Sequence, residues 1–158
     1  MLSPTKLIST LLIIPFLACT ALQANTASRA DMLGTWACEV KIVEEGGFFK
    51  VESEDYYSDD GTSKGTGIMT MKMGPDFPQV TYNYSAEGTW KIRDMQLIET
   101  LTRFEVTFVS HPEIEKMVNL ESSMPLNQED AAEIIELTSS MLTLKTDVDG
   151  SNHTCYKQ

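Results

Sequence analysis

The residues able to do chemistry in this chain are few and dispersed. Met69, Met71 and Met73 alternate, so three thioethers would share one face of a strand. Soft sulfur ligands suit Cu(I). Same-face neighbours on a strand stand about 6.5–7 Å apart, however, which is wide for three sulfurs to reach one ion. Burial of alternate apolar residues explains the pattern more simply, with Met filling irregular core space. His111 and His153 are the only histidines. His153 lies two residues before Cys155, but no second Cys–His pair completes a tetrahedral set. Ser110 precedes His111, yet nothing marks it or any other serine as a nucleophile, and there is no Gly-x-Ser-x-Gly. Glu52, Glu54, Asp55, Asp59 and Asp60 offer oxygens for Ca²⁺, but their spacing matches no EF-hand loop, and a solvated acidic hairpin is the simpler reading. The expectation is no catalytic residue, no metal site and no cofactor.

The cysteines speak about location. Lys6 precedes a nearly continuous apolar stretch from Leu7 to Ala18, and Leu22-Gln23-Ala24 fits a cleavage site. This is the pattern of a signal peptide over residues 1–24, too short to span a bilayer comfortably. Cys19 offers a lipid anchor as the alternative, with Ala18 fitting a lipobox and Phe16 and Leu17 fitting it poorly. The expected location is the periplasm or the exterior, or else the outer membrane through a lipidated Cys19. Cys38 and Cys155 then remain, and an even pair in an oxidising compartment suggests a disulfide. With a formal net charge of −11, the chain is a poor partner for nucleic acid or anionic lipid headgroups.

The elements that would position these residues are short strands. Trp36, Cys38, Val40 and Ile42 alternate with Ala37, Glu39, Lys41 and Val43. That period of two marks a half-buried strand. After the Glu44–Gly47 turn, Phe49, Val51, Ser53 and Asp55 oppose Lys50, Glu52, Glu54 and Tyr56. Asp59-Asp60-Gly61 is a hairpin turn. Strands follow at Gly65–Met73 and Gln79–Ala86. Glu87-Gly88 bends the chain into Thr89–Ile92, and Arg93-Asp94 turns it into Met95–Thr102. Arg103–Ser110 continues as strand with Phe104, Val106 and Phe108 on one side. Helical spacing of Ile114, Met117 and Val118 predicts a short helix from Pro112 to about Leu120, and Asn127 with Asp130 could cap another turn. Strands at Glu133–Leu137, Met141–Thr146 and Ser151–Tyr156 close the chain, the last after an Asp147–Gly150 turn. Eight or nine strands with regular turns suggest one all-β barrel or sandwich over residues 25–158.

Gly34-Thr35-Trp36, a second Gly-Thr-Trp at Gly88–Trp90, and Ile134–Thr138 leading to Met141–Lys145 and an Asp-Gly turn together resemble the small bacterial lipocalin-like proteins. The resemblance implies an antiparallel up-and-down barrel or flattened barrel, with the helical insertion near residues 112–132 as a departure. It implies no activity, because such barrels serve many roles. Phe48, Phe49, Tyr56, Tyr57, Tyr82 and Tyr84 are the aromatics expected to line a lumen, and Phe49, Tyr56, Tyr82 and Tyr84 are the candidate ligand contacts. The functional expectation is an exported, non-enzymatic domain binding a small apolar molecule. The alternative is an envelope interaction protein or protease inhibitor acting through its loops or the segment from Asn25 to Met32.

Overall fold

The structure, a computed structural model, describes residues 27–145 and 150–158. The expected signal peptide and cleavage site, with Cys19, lie outside the described residues, as does most of the Asp147–Gly150 turn. Eight strands run antiparallel in sequence order and close on themselves. They are β1 (Gly34–Glu44), β2 (Gly47–Tyr57), β3 (Thr62–Lys72), β4 (Val80–Arg93), β5 (Gln96–Val109), β6 (Glu129–Leu137), β7 (Met141–Lys145) and β8 (Asn152–Lys157). A one-turn helix α1 (Arg29–Met32) precedes them, and helices α2 (Pro112–Val118) and α3 (Leu120–Ser123) connect β5 to β6.

The closure is partial. β8 meets β1 over three residue pairs, from Trp36 opposite Lys157 to Cys38 opposite Cys155. The two cysteines are bonded, with Cα atoms 4.2 Å apart. β6 meets β5 only between Gln96 and Thr100. The barrel is therefore complete at one end, and beyond it β1–β5 continue as a curved sheet. At the complete end Trp36, Tyr57, Trp90, Leu97, Ile134, Leu142 and Leu144 form one buried cluster around Met32. At the other end Met69, Val80, Tyr82 and Phe104 form a second. Leu120 is buried in this second cluster, with Ile114, Val118 and Met124 packed against it. The insertion is thus a flap over the concave face of the extended sheet.

Segment α1 plugs the complete end. Met32 is fully buried, and Trp36 Nε1 donates to its carbonyl at 2.7 Å. Lys157 Nζ donates to Asp31 O at 2.9 Å, and the Arg29 guanidinium lies 4.4 Å from the Trp90 ring centre. The stretch from Ala27 to Met32 is held against the barrel, which weakens the idea of an inhibitor acting through a projecting N-terminal segment. Both tryptophans are packing residues, with Trp90 only 4% exposed.

Three expectations along the chain are corrected. Glu87-Gly88 does not interrupt a strand; β4 runs through it, and the irregularities fall on β5, where Thr102 and Thr107 are each an extra residue in the ladder. Their hydroxyls donate back to the opposite strand, Thr102 to Glu87 O at 3.0 Å and Thr107 to Asn83 O at 3.2 Å. Each bulge shifts the alternation by one residue. Phe108 therefore turns outward to 53% exposure instead of joining Phe104 and Val106. Asn127 starts no helical turn: it takes a left-handed φ of 59°, and β6 begins two residues later. The β4–β5 turn is centred on Asp94-Met95, whose φ angles of 50° and 63° suit a tight two-residue hairpin.

Candidate functional site

Between the two apolar clusters lies a polar layer. Alternation on β2 continues from Phe49 and Val51 to Ser53 and Asp55, so a carboxylate reaches the interior. Glu99 of β5 sits opposite Trp90 on β4 and opposite Asp130 on β6. Asp55, Glu99 and Asp130 line a chamber of about 440 Å³, with Leu101 beside them and the flap residues Met124 and Pro125 above. A broader hollow of about 780 Å³ over Glu52, Ile68 and Tyr156 is more open to solvent.

Glycines make the room. A Cβ on Gly65 would collide with Asp55 Oδ1. A Cβ on Gly67 would stand 2.6 Å from both the Tyr84 hydroxyl and the Glu52 carbonyl oxygen. These contacts differ in what can yield: a carboxylate tip rotates, whereas a backbone carbonyl in a ladder does not. Gly67→Ala is expected to lower stability by about 1–3 kcal/mol, in the range of core overpacking, and Gly65→Ala by less than about 1 kcal/mol. Urea unfolding midpoints of the two variants check this order.

The chamber's acids are poorly compensated. The Tyr57 hydroxyl donates to Glu99 Oε1 at 3.0 Å, and Ser53 Oγ donates to Asp55 Oδ2 at 2.6 Å. None of Asp55, Glu99 and Asp130 joins an ion pair among the described residues. Burial, then the charge of Asp55, pushes Glu99 up to about 7, with the Tyr57 hydrogen bond partly opposing. Burial raises Asp55 as well, against the Ser53 hydrogen bond. Burial and then the negative charge of Glu99 lift Tyr57 well above its ordinary value. Loss of solvation on burial disfavours the charged form in each case.

The candidate ligand contacts fall elsewhere. Phe49 and Tyr82 pack in the flap-side cluster, where Tyr82 is fully buried. Its hydroxyl and Glu115 Oε2 are buried and make no hydrogen bond of good geometry among the described residues. Burial, followed by Glu115, moves the Tyr82 hydroxyl up to about 12. Tyr56 shares the outer face with Glu52 and Glu54 and is 49% exposed, so Tyr57 takes the interior position in its place. Tyr84 stacks on Phe104 at 5.3 Å, and burial and then Asp55 push its hydroxyl up to about 12. It is the one of the four whose hydroxyl feels the chamber. Glu99 and Asp130 were not singled out from the sequence; Asp55 was, as a Ca²⁺ oxygen in an acidic hairpin and on the face of Phe49 and Val51, but not as part of this chamber.

The other chemical candidates do not converge. Met69 is buried, Met71 packs beside it, and Met73 lies past the end of β3 at 50% exposure. Ser110 Oγ accepts from Thr81 N at 2.9 Å, while His111 Nδ1 faces Glu113 at 3.0 Å. Cys155 is in the disulfide and offers no thiolate beside His153. Asp60 caps its own turn, its carboxylate accepting from Thr62 N at 2.8 Å. No group of three His, Cys, Asp or Glu among the described residues is placed to hold a metal.

Eight antiparallel strands in up-and-down order, closed on themselves, define a lipocalin-like barrel, here with a chamber that opens between the strands and the flap. Among solved structures, a lipocalin-like protein from Bacteroides uniformis matches with a TM-score of 0.45 and 16% identity over 81% of this chain and 99% of that one. An uncharacterized protein from Bacteroides eggerthii matches with a TM-score of 0.44 and 18% identity, over 80% and 99%. No protein-family model matches the chain, and no curated protein does. The Cys38–Cys155 bond suggests a non-cytoplasmic protein, and no helix among the described residues is long and apolar enough to cross a membrane.

Proposed function

We propose that this chain is an exported, non-enzymatic binding domain that holds a small molecule inside its barrel, in the periplasm or outside the cell. The observation that carries this reading is the chamber of about 440 Å³ left between two packed clusters. Here Gly65 on β3 and Gly88 on β4 contribute no side chain to the space. A volume of this order matches small-ligand sites. The apolar run before Ala24 and the disulfide support export.

Native mass spectrometry of the protein isolated from its own envelope tests the reading. The expected result is the mature chain, two hydrogens light for the disulfide, carrying an adduct of a few hundred daltons that denaturation releases. A bare chain that also binds nothing from a mixed small-molecule library would overturn it. The same spectrum distinguishes cleavage near Ala24 from an acyl chain on Cys19.

A further inference from the structure

We propose that the chamber takes an organic cation, a protonated amine with an apolar body. This deepens the binding reading above and rests on it. The first argument is charge. Asp55, Glu87, Glu99, Glu129 and Asp130 line the chamber against a single basic residue, Lys64. Lys64 lies 3.6 Å from Glu87 with its side chain 69% exposed, so it sits at the rim and leaves the interior acids uncompensated. Glu129 is likewise paired, with Lys91.

The second argument is the state of the oxygens. Asp55 and Glu99 each spend one oxygen on a neighbouring hydroxyl. Neither second oxygen, Oδ1 of Asp55 nor Oε2 of Glu99, accepts a hydrogen bond from the described residues, yet neither is among the atoms sealed without a partner. Both are therefore wetted from the chamber side. An ammonium has three donors and no acceptor, which matches oxygens that can only accept. Asp130 lies directly opposite Glu99 on the neighbouring strand, and like charges so placed oppose each other until a cation lies between them.

The third argument concerns the rest of the ligand. Leu101, Met124 and Pro125 give the chamber an apolar side, and Met124 is a soft, adaptable contact. A neutral apolar molecule would instead cover the carboxylates without pairing them, at the cost of desolvation. An anion would meet like charge. Below neutral pH and without a cation, a proton neutralises Glu99, since burial and then Asp55 push it up to about 7. The cation would take the proton's place, so its binding should release a proton below neutral pH.

Titration calorimetry of the intact mature protein with matched trios provides the test: tryptamine, tryptophol and indole-3-acetate, and hexylamine, hexanol and hexanoate. The expected result is that the amine of at least one trio binds tenfold or more tighter than its alcohol, with no binding by the acid. In two buffers of different ionisation heat at pH 6, the amine should release protons. The Glu99→Gln, Asp55→Asn double variant should lose the tenfold preference; a cooperative thermal transition at or above the parent's midpoint, or the same loss in Glu99→Gln alone, controls for folding. An alcohol or acid binding as tightly as its amine overturns the charge assignment and leaves the binding domain standing. No binding by any of the six overturns the cation proposal, and only failure of the library and the envelope preparation removes the binding reading too.

Discussion

Replacing Cys38 and Cys155 together by Ala is expected to lower the unfolding free energy by about 4–5 kcal/mol on the chain-entropy account. The bond spans a sequence separation of 117 residues, so it removes a large share of the unfolded chain's freedom. Its position adds a structural reason. β1 and β8 pair over three residues only, and Cys38 opposite Cys155 is the last pair before β1 continues without β8, paired with β2 alone. Without the bond, the seam keeps the ladder and two tethers: the Gln158 N to Thr35 O hydrogen bond of 2.9 Å and the Lys157 Nζ to Asp31 O contact. Global stability of a domain is of the order of 5–15 kcal/mol, so the loss would leave little margin. Urea unfolding of the double variant, compared with the oxidised parent, measures it. Amide exchange should show β8 opening ahead of β3 and β4. A midpoint unchanged within error would mean that the seam's stability lies in its packing.

How much of this was legible before the fold was known depends on the kind of signal. Alternation reads well where a strand is regular. Trp36, Cys38, Val40 and Ile42 were placed together, and Trp36 is fully buried while its opposite-face neighbours Glu39, Lys41 and Val43 are exposed. Turns with positive φ were announced by Gly46 and Gly61. The disulfide pairing followed from a count of two. Bulges were not legible, because Thr102 and Thr107 are ordinary strand formers and carry no mark of being extra. A third irregularity, at Ile135 between Ile134 and Glu136, shifts the alternation so that Glu136 stays outside and Leu137 returns to the core. The candidate site suffered from the same parity problem and from an assumption. Aromatics were taken to line the lumen, but large rings fill an interior and small residues empty it. The chamber lies where β3 and β4 contribute Gly65, Ala86 and Gly88. Asp55 was assigned to the apolar face of β2, and a charge in that position is costly unless something pairs with it.

Glu99→Gln is the sharpest way to show that cost. The variant keeps an oxygen to accept from the Tyr57 hydroxyl and removes the ability to ionise. In the parent protein Glu99 titrates near 7 when folded, against an ordinary value of 4.5. Below about 4.5 both folded and unfolded chains hold the proton, and Glu99 contributes no pH dependence. Between 4.5 and 7 the unfolded chain releases the proton while the folded chain keeps it, so the folded state binds more protons and stability falls as pH rises. Above 7 the fall is complete. At about 1.4 kcal/mol per unit the whole effect is at most about 3.5 kcal/mol. The variant should therefore be more stable than the parent at pH 8 by about 1–3 kcal/mol and equal to it near pH 4, with the two curves separating in between. Urea unfolding at pH 4, 5, 6, 7 and 8 reads this difference directly. The exposed carboxylates Asp60, Glu113 and Glu129, which are lowered by their partners, bend both curves the other way at low pH and cancel in the comparison. Parallel curves would mean that Glu99 is solvated in the folded protein, and that the acidic layer carries no strain for a ligand to relieve. A gap that opens between 4.5 and 7 would identify a barrel that gives up stability at neutral pH to keep a charged interior, and binding sites are where such a cost is expected.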